Sequence, residues 1–291
     1  MKNGELQIAG SVVFWNVAAE TNQVALAEKL TAIGQESCIP HERTAFAAAK
    51  CACAKHYRGE GYRVEKLKDG HGITVERITR GETENQYTQI AYVLVNDETV
   101  TIEKICITDA DAKDPGAVEN ALFDSFLDEL KLCAANAVGL ALARAVEAHD
   151  GYRLRPTGGV YFLPNFQSES FEKIAEIFEE CGVNGKTMVH RMEVAKGDQT
   201  IRAVHSTIRE GITERIAEMK EELANGLKKA GRRNRTEEIQ KLIDQTSRYE
   251  SLLDESLAEV RKDLEEVKIQ MVAEVIAGAG SLFGSLELLA A

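Results

Sequence analysis

Apolar residues recur at the three-and-four spacing of a helix seam between residues 201 and 275, with one interruption at residues 226–231. Charged residues lie between the apolar positions, and this combination, sustained over several heptads, is typical of a coiled coil. The first stretch carries Ile201, Val204, Ile208, Ile212, Ile216, Met219, Leu223 and Leu227. The second carries Ile239, Leu242, Thr246, Tyr249, Leu253, Val260, Leu264, Val267 and Met271. The spacing therefore predicts two long helices that fold back on each other.

Residues 226–235 are predicted to form the bend between these helices. Gly226 and Gly231 weaken the helix, and Asn234 with Glu237 has the spacing of a capping box. A short connection makes the pair antiparallel, and at 1.5 Å per residue each helix would span roughly 40 to 55 Å. Residues 199–276 are therefore predicted to form a long antiparallel αα-hairpin, an arm that makes contacts and does no chemistry.

Composition limits the classes of function. The chain has 291 residues, 44% apolar and 28% charged, which is typical of a soluble globular protein. Its net charge of -12 repels phosphate backbones and disfavours nucleic acid as a partner. A run of 18 apolar residues and a secretory signal are both missing, so we expect no membrane span and a cytoplasmic location. Six cysteines, mostly in apolar segments, are expected to be reduced thiols.

The part of the chain before the arm alternates between strand and helix patterns. A strand at residues 11–18 precedes helical runs up to residues 33 and 57, and alternating segments at 62–68, 73–80, 87–96 and 99–107 predict an antiparallel sheet. One long helix is predicted from Pro115 to about His149. The prediction is an α+β body at residues 1–198, in one lobe or in two (1–150 and 151–198), followed by the arm at 199–276 and an apolar tail at 277–291.

Residues 154–164 read LRPTGGVYFLP and resemble a signature, L-R-P-[ST]-G-G-x-Y-F-x-P, of an uncharacterised domain family met in phage, prophage and plasmid genomes. The order of parts along the chain is similar too, including a Tyr-x-x-Leu-Leu element that here begins at Tyr249. The resemblance implies a mobile-element protein. That family has no established activity, so the resemblance assigns no catalytic residue.

The same residues predict a tight hairpin on their own chemistry. Pro156 fixes φ, and Gly158 and Gly159 accept backbone angles that other residues avoid. Tyr161 and Phe162 then send their rings to opposite faces of a strand. The hairpin-motif residues are Arg155, Pro156, Gly158, Gly159, Tyr161 and Phe162.

Two surfaces of the arm are candidate binding sites. A basic patch at the bend comprises Lys228, Lys229, Arg232, Arg233 and Arg235, and it suits phosphates or an acidic protein surface. The alternative explanation is a solvated, charged bend. The apolar tail suits self-association through Ile276, Leu282, Phe283, Leu286, Leu288 and Leu289.

Candidate metal ligands are weaker. Cys38 with His41 and Cys53 with His56 form two Cys-x-x-His pairs, a spacing that zinc sites use. Cys53 falls on the apolar side of an alanine-rich helix, which favours a core thiol with a surface histidine. Asp109, Asp111 and Asp114 precede a helix, where carboxylates cap N–H groups or bind a divalent ion.

Together these patterns favour a non-enzymatic interaction or oligomerisation protein with no cofactor. The expected partner is another copy of the chain or a host or phage protein. Two alternatives remain open, a nucleic-acid-associated protein that uses the basic bend, and a metal-dependent enzyme that uses the acidic or Cys/His residues.

Overall fold

The computed structural model describes residues 7–287 apart from 60, 69, 82–83, 156–157 and 226–228; for residues 229–230, 232–233 and 274–287 it describes the backbone alone. The strands are β1 (Ile8–Asn16), β2 (Glu20–Asn22), β3 (Tyr62–Lys66), β4 (Gly72–Arg80), β5 (Asn85–Asn96), β6 (Thr101–Ile107), β7 (Leu132–Ala134), β8 (Tyr152–Arg153), β9 (Tyr161–Pro164) and β10 (Met188–Ala195). The helices are α1 (Gln23–Ala32), α2 (Ala45–His56), α3 (Pro115–Leu130), α4 (Ala135–Ala148), α5 (Ser168–Cys181), α6 (Asp198–Ala224), α7 (Lys229–Leu253) and α8 (Ala258–Glu287).

The architecture is mixed α+β with antiparallel sheets, which confirms the predicted class. One sheet has the strand order β10-β1-β9-β8, a second has the order β3-β4-β5-β6, and β2 pairs with β7. Three separate parts of the chain form the first sheet, namely β1, the β8–β9 segment and β10. Within it, β1 pairs with β9 over Gly10–Val13 and Tyr161–Pro164.

The sheet of β3 to β6 is the antiparallel meander that the alternating segments predict. At the turn before β6, the Asn96 side-chain oxygen accepts hydrogen bonds from the N–H groups of Glu98 at 3.0 Å and Thr99 at 3.1 Å. Asparagine favours turns for this reason. One face of the sheet packs on α2 and α3 in an apolar cluster that includes Val75, Ala91, Val93, Ala49 and Phe126.

The single long helix predicted between Pro115 and His149 is wrong. The structure has α3, then β7, then α4, because Cys133 lies opposite Thr21 in the β2–β7 pair and is 1% exposed. The Lys131 carbonyl accepts a hydrogen bond from the N–H of Gln23 at 2.8 Å, which takes the backbone out of the helix. The apolar spacing continues across the break, so the spacing alone did not reveal it.

The predicted two-helix hairpin at residues 199–276 is corrected to three helices, α6, α7 and α8. The predicted second helix stops at Leu253 because Asp254 adopts φ 54°, a left-handed conformation. Glu250 then accepts a hydrogen bond from the N–H of Leu257 at 2.7 Å, and α8 starts at Ala258. Leu253, Leu257 and Val260 keep the helical apolar spacing through the turn, which hid the interruption.

An apolar cluster joins the three helices to β1 and β9. It contains Val204, Ile208, Ile212, Ile216, Met219, Ile239, Tyr249, Leu253, Leu257, Val260, Leu264, Val267 and Met271, together with Ala9 and Phe162. The seam residues are therefore buried within one chain. Thr246 is fully buried among them, and its hydroxyl donates to the Leu242 carbonyl at 2.7 Å.

The chain divides into two compact units. Unit 1 comprises residues 1–15, 145–173 and 189–291, and unit 2 comprises residues 16–144 and 174–188. This grouping places residues 145–173 with the three C-terminal helices, whereas the sequence prediction divided the chain at residue 198.

Candidate functional site

The connection between β8 and β9 forms one wall of the candidate site in unit 1. The N–H of Leu154 donates to the Val160 carbonyl at 2.9 Å and closes the hairpin. Gly158 has φ 89°, in the left-handed region that favours glycine. The backbone at Gly159 runs beside the Trp15 indole, where a Cβ would lie at an ordinary contact distance of 3.5 Å. Pro156 lies outside the described residues.

Tyr161 and Phe162 are both 1% exposed and, as neighbours on β9, lie on opposite faces of the sheet. The Tyr161 ring stacks on Trp15 with centroids 5.2 Å apart. Arg153 lies over the same ring at 5.4 Å and donates from Nη2 to the Tyr161 hydroxyl at 2.9 Å. The guanidinium of Arg153 is therefore held against the hairpin.

The hairpin is tied to α7 through Asp150, which sequence analysis did not single out. The Arg248 guanidinium donates to both Asp150 carboxylate oxygens, at 2.9 and 2.7 Å. The Tyr249 hydroxyl donates to the Asp150 backbone carbonyl at 2.6 Å. Asp150 itself has φ 60° and is 7% exposed. These bonds join the segment before β8 to the start of the Tyr-x-x-Leu-Leu element.

Two tyrosines at this junction are structural. Their rings meet edge to face, with the Tyr152 and Tyr249 centroids 5.4 Å apart. Burial raises the pKa of Tyr249 well above its usual value, and burial raises that of Tyr152 as well. Both hydroxyls therefore stay protonated, and Tyr152 donates to Gln245 Oε1 at 3.0 Å. They serve as hydrogen-bond donors that hold the hairpin on α7.

A cleft of about 570 Å³ lies next to this junction. Its walls are β8 with Leu154 and Arg155, one side of α6, one side of α7, and Glu147 near the end of α4. Gly211 on α6 lines the cleft, and a Cβ there would meet the Tyr152 ring at an ordinary contact distance of 3.7 Å. The volume falls in the range of small-ligand sites.

Of the three arginines that line the cleft, Arg215 is ion-paired within the chain. Arg215 donates to Glu238 at 2.6 Å and also pairs with Glu218. Arg153 donates a hydrogen bond to the Tyr161 hydroxyl. The Arg155 side chain lies against the hairpin, with its Nη2 3.2 Å from the position that a Cβ on Gly158 would take. Glu147, Glu210 and Glu214 also line the cleft, and they form no ion pair with another described residue. The cleft therefore holds carboxylates from α4 and α6 together with two guanidinium groups, those of Arg153 and Arg155, that form no ion pair with a described residue.

The outward side of α8 carries exposed apolar residues. Ile269 is 68% exposed and Val272 is 41% exposed, while Val267 and Met271 on the same helix are fully buried. Ile269 and Val272 are three residues apart and lie on one face.

The basic bend is only partly described. Arg235 donates to Glu222 at 2.7 Å and to Glu238 at 2.5 Å, and these hydrogen bonds raise its pKa. It is thus engaged within the chain. Lys228 lies outside the described residues, as do the side chains of Lys229, Arg232 and Arg233. The tail positions Leu288 and Leu289, and the side chains of Ile276, Leu282, Phe283 and Leu286, also lie outside them.

The Cys-x-x-His pairs do not assemble a metal site among the described residues. Cys38 and Cys53 are buried free thiols, and burial raises the pKa of Cys53 to about 12. The part of the chain that the structure describes holds no group of three His, Cys, Asp or Glu side chains arranged for a metal ion, so His41 and His56 are not brought into one.

The acidic residues before α3 have structural partners. Arg77 donates to Asp109 at 2.6 Å and to Asp111 at 2.7 Å. The Asp114 side chain accepts from the N–H of Ala117 at 3.0 Å and caps α3. A separate buried carboxylate, Glu129, is 2% exposed and is neutralised by Arg43 and Lys55. These carboxylates all serve to hold elements of unit 2 in place.

Comparisons with known proteins identify a family, and that family has no assigned activity. A family model described as a family of unknown function (DUF6744) matches residues 8–281. A search of curated proteins and a search of solved structures each found no match. Within the described residues, none of the helices has the length and apolar character needed to cross a membrane.

Proposed function

The chain belongs to the family of unknown function DUF6744, and from that premise we propose that it is a non-enzymatic interaction protein that assembles with further copies of itself through the outward face of α8. The proposed setting is a phage, prophage or plasmid protein in the host cytoplasm, as the resemblance of residues 154–164 implies. The observation that carries the proposal is the exposure of Ile269 and Val272 on a helix whose other side is already buried.

The apolar spacing of this face continues along the sequence beyond Val272. Positions 276, 279, 283 and 286 follow at intervals of three or four and hold isoleucine, alanine, phenylalanine and leucine. The backbone of α8 extends to Glu287, so these positions fall on the same side of the helix as Ile269. A face of this kind pairs well with an identical face across a two-fold axis, because such an interface is self-complementary.

The energies indicate which residues must take part. Full burial of an isoleucine or valine contributes about 1.5–3 kcal/mol, so covering the exposed fractions of Ile269 and Val272 in two copies contributes roughly 3–7 kcal/mol. Lost translational and rotational freedom costs about 4–15 kcal/mol. The two described side chains alone are therefore insufficient, and the proposal requires the apolar positions after Val272.

Light scattering after size exclusion tests the proposal with a matched pair of variants. Ile269→Glu places a charge on the outward face of α8 and is expected to convert the assembly to monomer. Leu140→Glu alters a comparably exposed leucine, 64% exposed on α4, and is expected to leave the mass unchanged. Equal masses for the unmodified protein and for Ile269→Glu would contradict the proposal.

A further inference from the structure

Helix α2, strand β3 and the segment between them carry an excess of positive charge. Residues 45–68 hold six lysines and arginines against two glutamates, in a chain whose net charge is -12. Lys55 and Arg63 are each held by glutamates within the chain. The other four cations are exposed and form no ion pair with another described residue. We call these four residues the basic strip, and they are Lys50, Arg58, Lys66 and Lys68.

Side-chain contacts place the basic strip along α2 and β3. The Lys66 ammonium lies over the Phe46 ring near the start of α2, 5.2 Å from its centroid. At the other end of the helix, the rings of Tyr57 and Tyr62 lie 5.5 Å apart. β3 therefore runs beside α2 in the opposite direction. Lys50 follows Phe46 by four residues, so it projects from the same side of α2.

The strand that carries part of the strip is accessible along its length. β3 is an edge strand, since its sheet has the order β3-β4-β5-β6. At about 3.3 Å per residue β3 spans roughly 16 Å, which is about the length of five stacked nucleotides at about 3.4 Å each. The basic strip therefore has the reach to contact several successive phosphates.

An exposed aromatic ring lies at one end of the basic strip. Tyr62 is 36% exposed, and its neighbour Tyr57 meets the His56 ring with centroids 4.8 Å apart. Arg58 follows these two residues directly in the chain. Proteins that bind single strands stack bases on aromatic rings and hold the phosphates with neighbouring cations. The basic bend at residues 226–235 contains no aromatic residue, so it lacks this second feature.

We propose that the basic strip binds single-stranded nucleic acid without sequence preference. Lys50, Lys66 and Lys68 bind phosphates, and a base stacks on Tyr62. The ring favours nucleic acid over an acidic protein segment, which would use the cations alone. The acidic remainder of the chain repels a polyanion, so the binding is weak, with a Kd on the order of 10 μM at about 50 mM salt. The site does not include α8 and is separate from the proposed self-association.

Fluorescence anisotropy with labelled oligonucleotides tests the proposal on the full-length protein. The probes are oligothymidylate and oligouridylate of about ten nucleotides. We expect saturable binding that weakens with salt, with a slope of log K against log salt of roughly -2 to -3, since each phosphate contact on a single strand contributes about -0.7. Equal binding of the two probes would support contacts to phosphates and base faces, which both strands share. Tighter binding of one probe would identify DNA or RNA as the natural ligand.

Lysine variants test the phosphate contacts. The double change Lys66→Gln and Lys68→Gln is expected to weaken binding about tenfold and to make the salt slope shallower by about 1 to 1.5. The matched control is Lys113→Gln with Lys186→Gln, which alters two exposed lysines elsewhere in unit 2. The control is expected to bind as the unmodified protein does.

Tyrosine variants test the stacking separately. Tyr62→Ala is expected to weaken binding about fivefold or more with the salt slope unchanged, because it removes a ring and no charge. Tyr62→Phe keeps the ring and is expected to retain the affinity. Circular dichroism checks that each variant remains folded.

Several outcomes would overturn the proposal. These are no saturation up to about 1 mM, unchanged affinity in the double lysine variant, and unchanged affinity in Tyr62→Ala. Polyglutamate of the same charge should compete at least about tenfold less well than the oligonucleotide, and equal competition would assign the strip to an acidic protein surface instead. Ile269→Glu should bind the oligonucleotide as the unmodified protein does, so this proposal and the proposed self-association fail separately.

Discussion

Removal of the hydrogen bond between the Tyr249 hydroxyl and the Asp150 carbonyl tests most directly how the β8–β9 hairpin is attached to the C-terminal helices. Tyr249→Phe removes only the hydroxyl, which donates to the Asp150 carbonyl at 2.6 Å. The ring stays, with its contacts to Tyr152, Phe162 and Phe166. The variant therefore isolates one hydrogen bond in a buried setting.

Both partners are buried, and burial sets the size of the effect. Tyr249 is fully buried and Asp150 is 7% exposed. A typical hydrogen bond contributes about 1 kcal/mol net, and a buried carbonyl left without a partner costs about 1–3 kcal/mol. We expect the free energy of unfolding of unit 1 to fall by about 1–3 kcal/mol.

Urea unfolding followed by tryptophan fluorescence measures this loss. The chain has one tryptophan, Trp15, and it belongs to unit 1 and stacks on Tyr161. With an m-value of about 2 kcal/mol per molar, the midpoint should fall by roughly 0.5–1.5 M. Tyr87→Phe is the control, because Tyr87 is 49% exposed and lies in unit 2. A shift for Tyr249→Phe no larger than that of the control would refute the reasoning.

Three further predictions concern other parts of the chain. Gly211→Ala should raise the free energy of unfolding by about 0.5–1 kcal/mol, because glycine is unfavourable inside a helix. A Cβ at this position meets Tyr152 at an ordinary distance of 3.7 Å. A loss of stability in urea unfolding would show that the space around Gly211 is tighter than described. Burial raises the pKa of Cys53 to about 12, so the unfolded thiol ionises first and stability should fall as pH rises above its ordinary value of 9.0. In Cys53→Ala, the free energy of unfolding measured by urea titration at several pH values should fall less steeply as pH rises. An identical pH dependence in the variant would contradict the raised pKa of Cys53. Deletion of residues 276–291 should yield a monomer by light scattering, and a deletion variant that keeps its full mass would exclude the tail from the interface.

Sequence patterns predicted the elements whose signals are local. The meander of β3 to β6 follows from alternation and from turn residues such as Asn96, whose side-chain oxygen accepts hydrogen bonds from the N–H groups of Glu98 and Thr99. Asp114 likewise caps α3 within three residues of its partner. Neither feature depends on distant parts of the chain, and for that reason both could be read from the sequence.

Breaks and distant contacts escaped the same reasoning. Leu253, Leu257 and Val260 maintain an unbroken helical spacing across the α7–α8 turn, because the same apolar core accepts side chains from both helices. The pair of Asp150 and Arg248 joins residues 98 positions apart and has no local signal. The cleft between the hairpin and α6 arises from such contacts, so its glutamates could not be recognised as a group before the fold was known.

The measurement that tests self-association most directly is sedimentation equilibrium of the full-length protein over a range of concentrations at low and high salt. Copies with a net charge of -12 repel each other, and added salt screens this repulsion while apolar burial persists. We therefore predict an average mass that rises with concentration to a multiple of 32.0 kDa, and rises further with salt. A mass of 32.0 kDa under every condition would contradict the account.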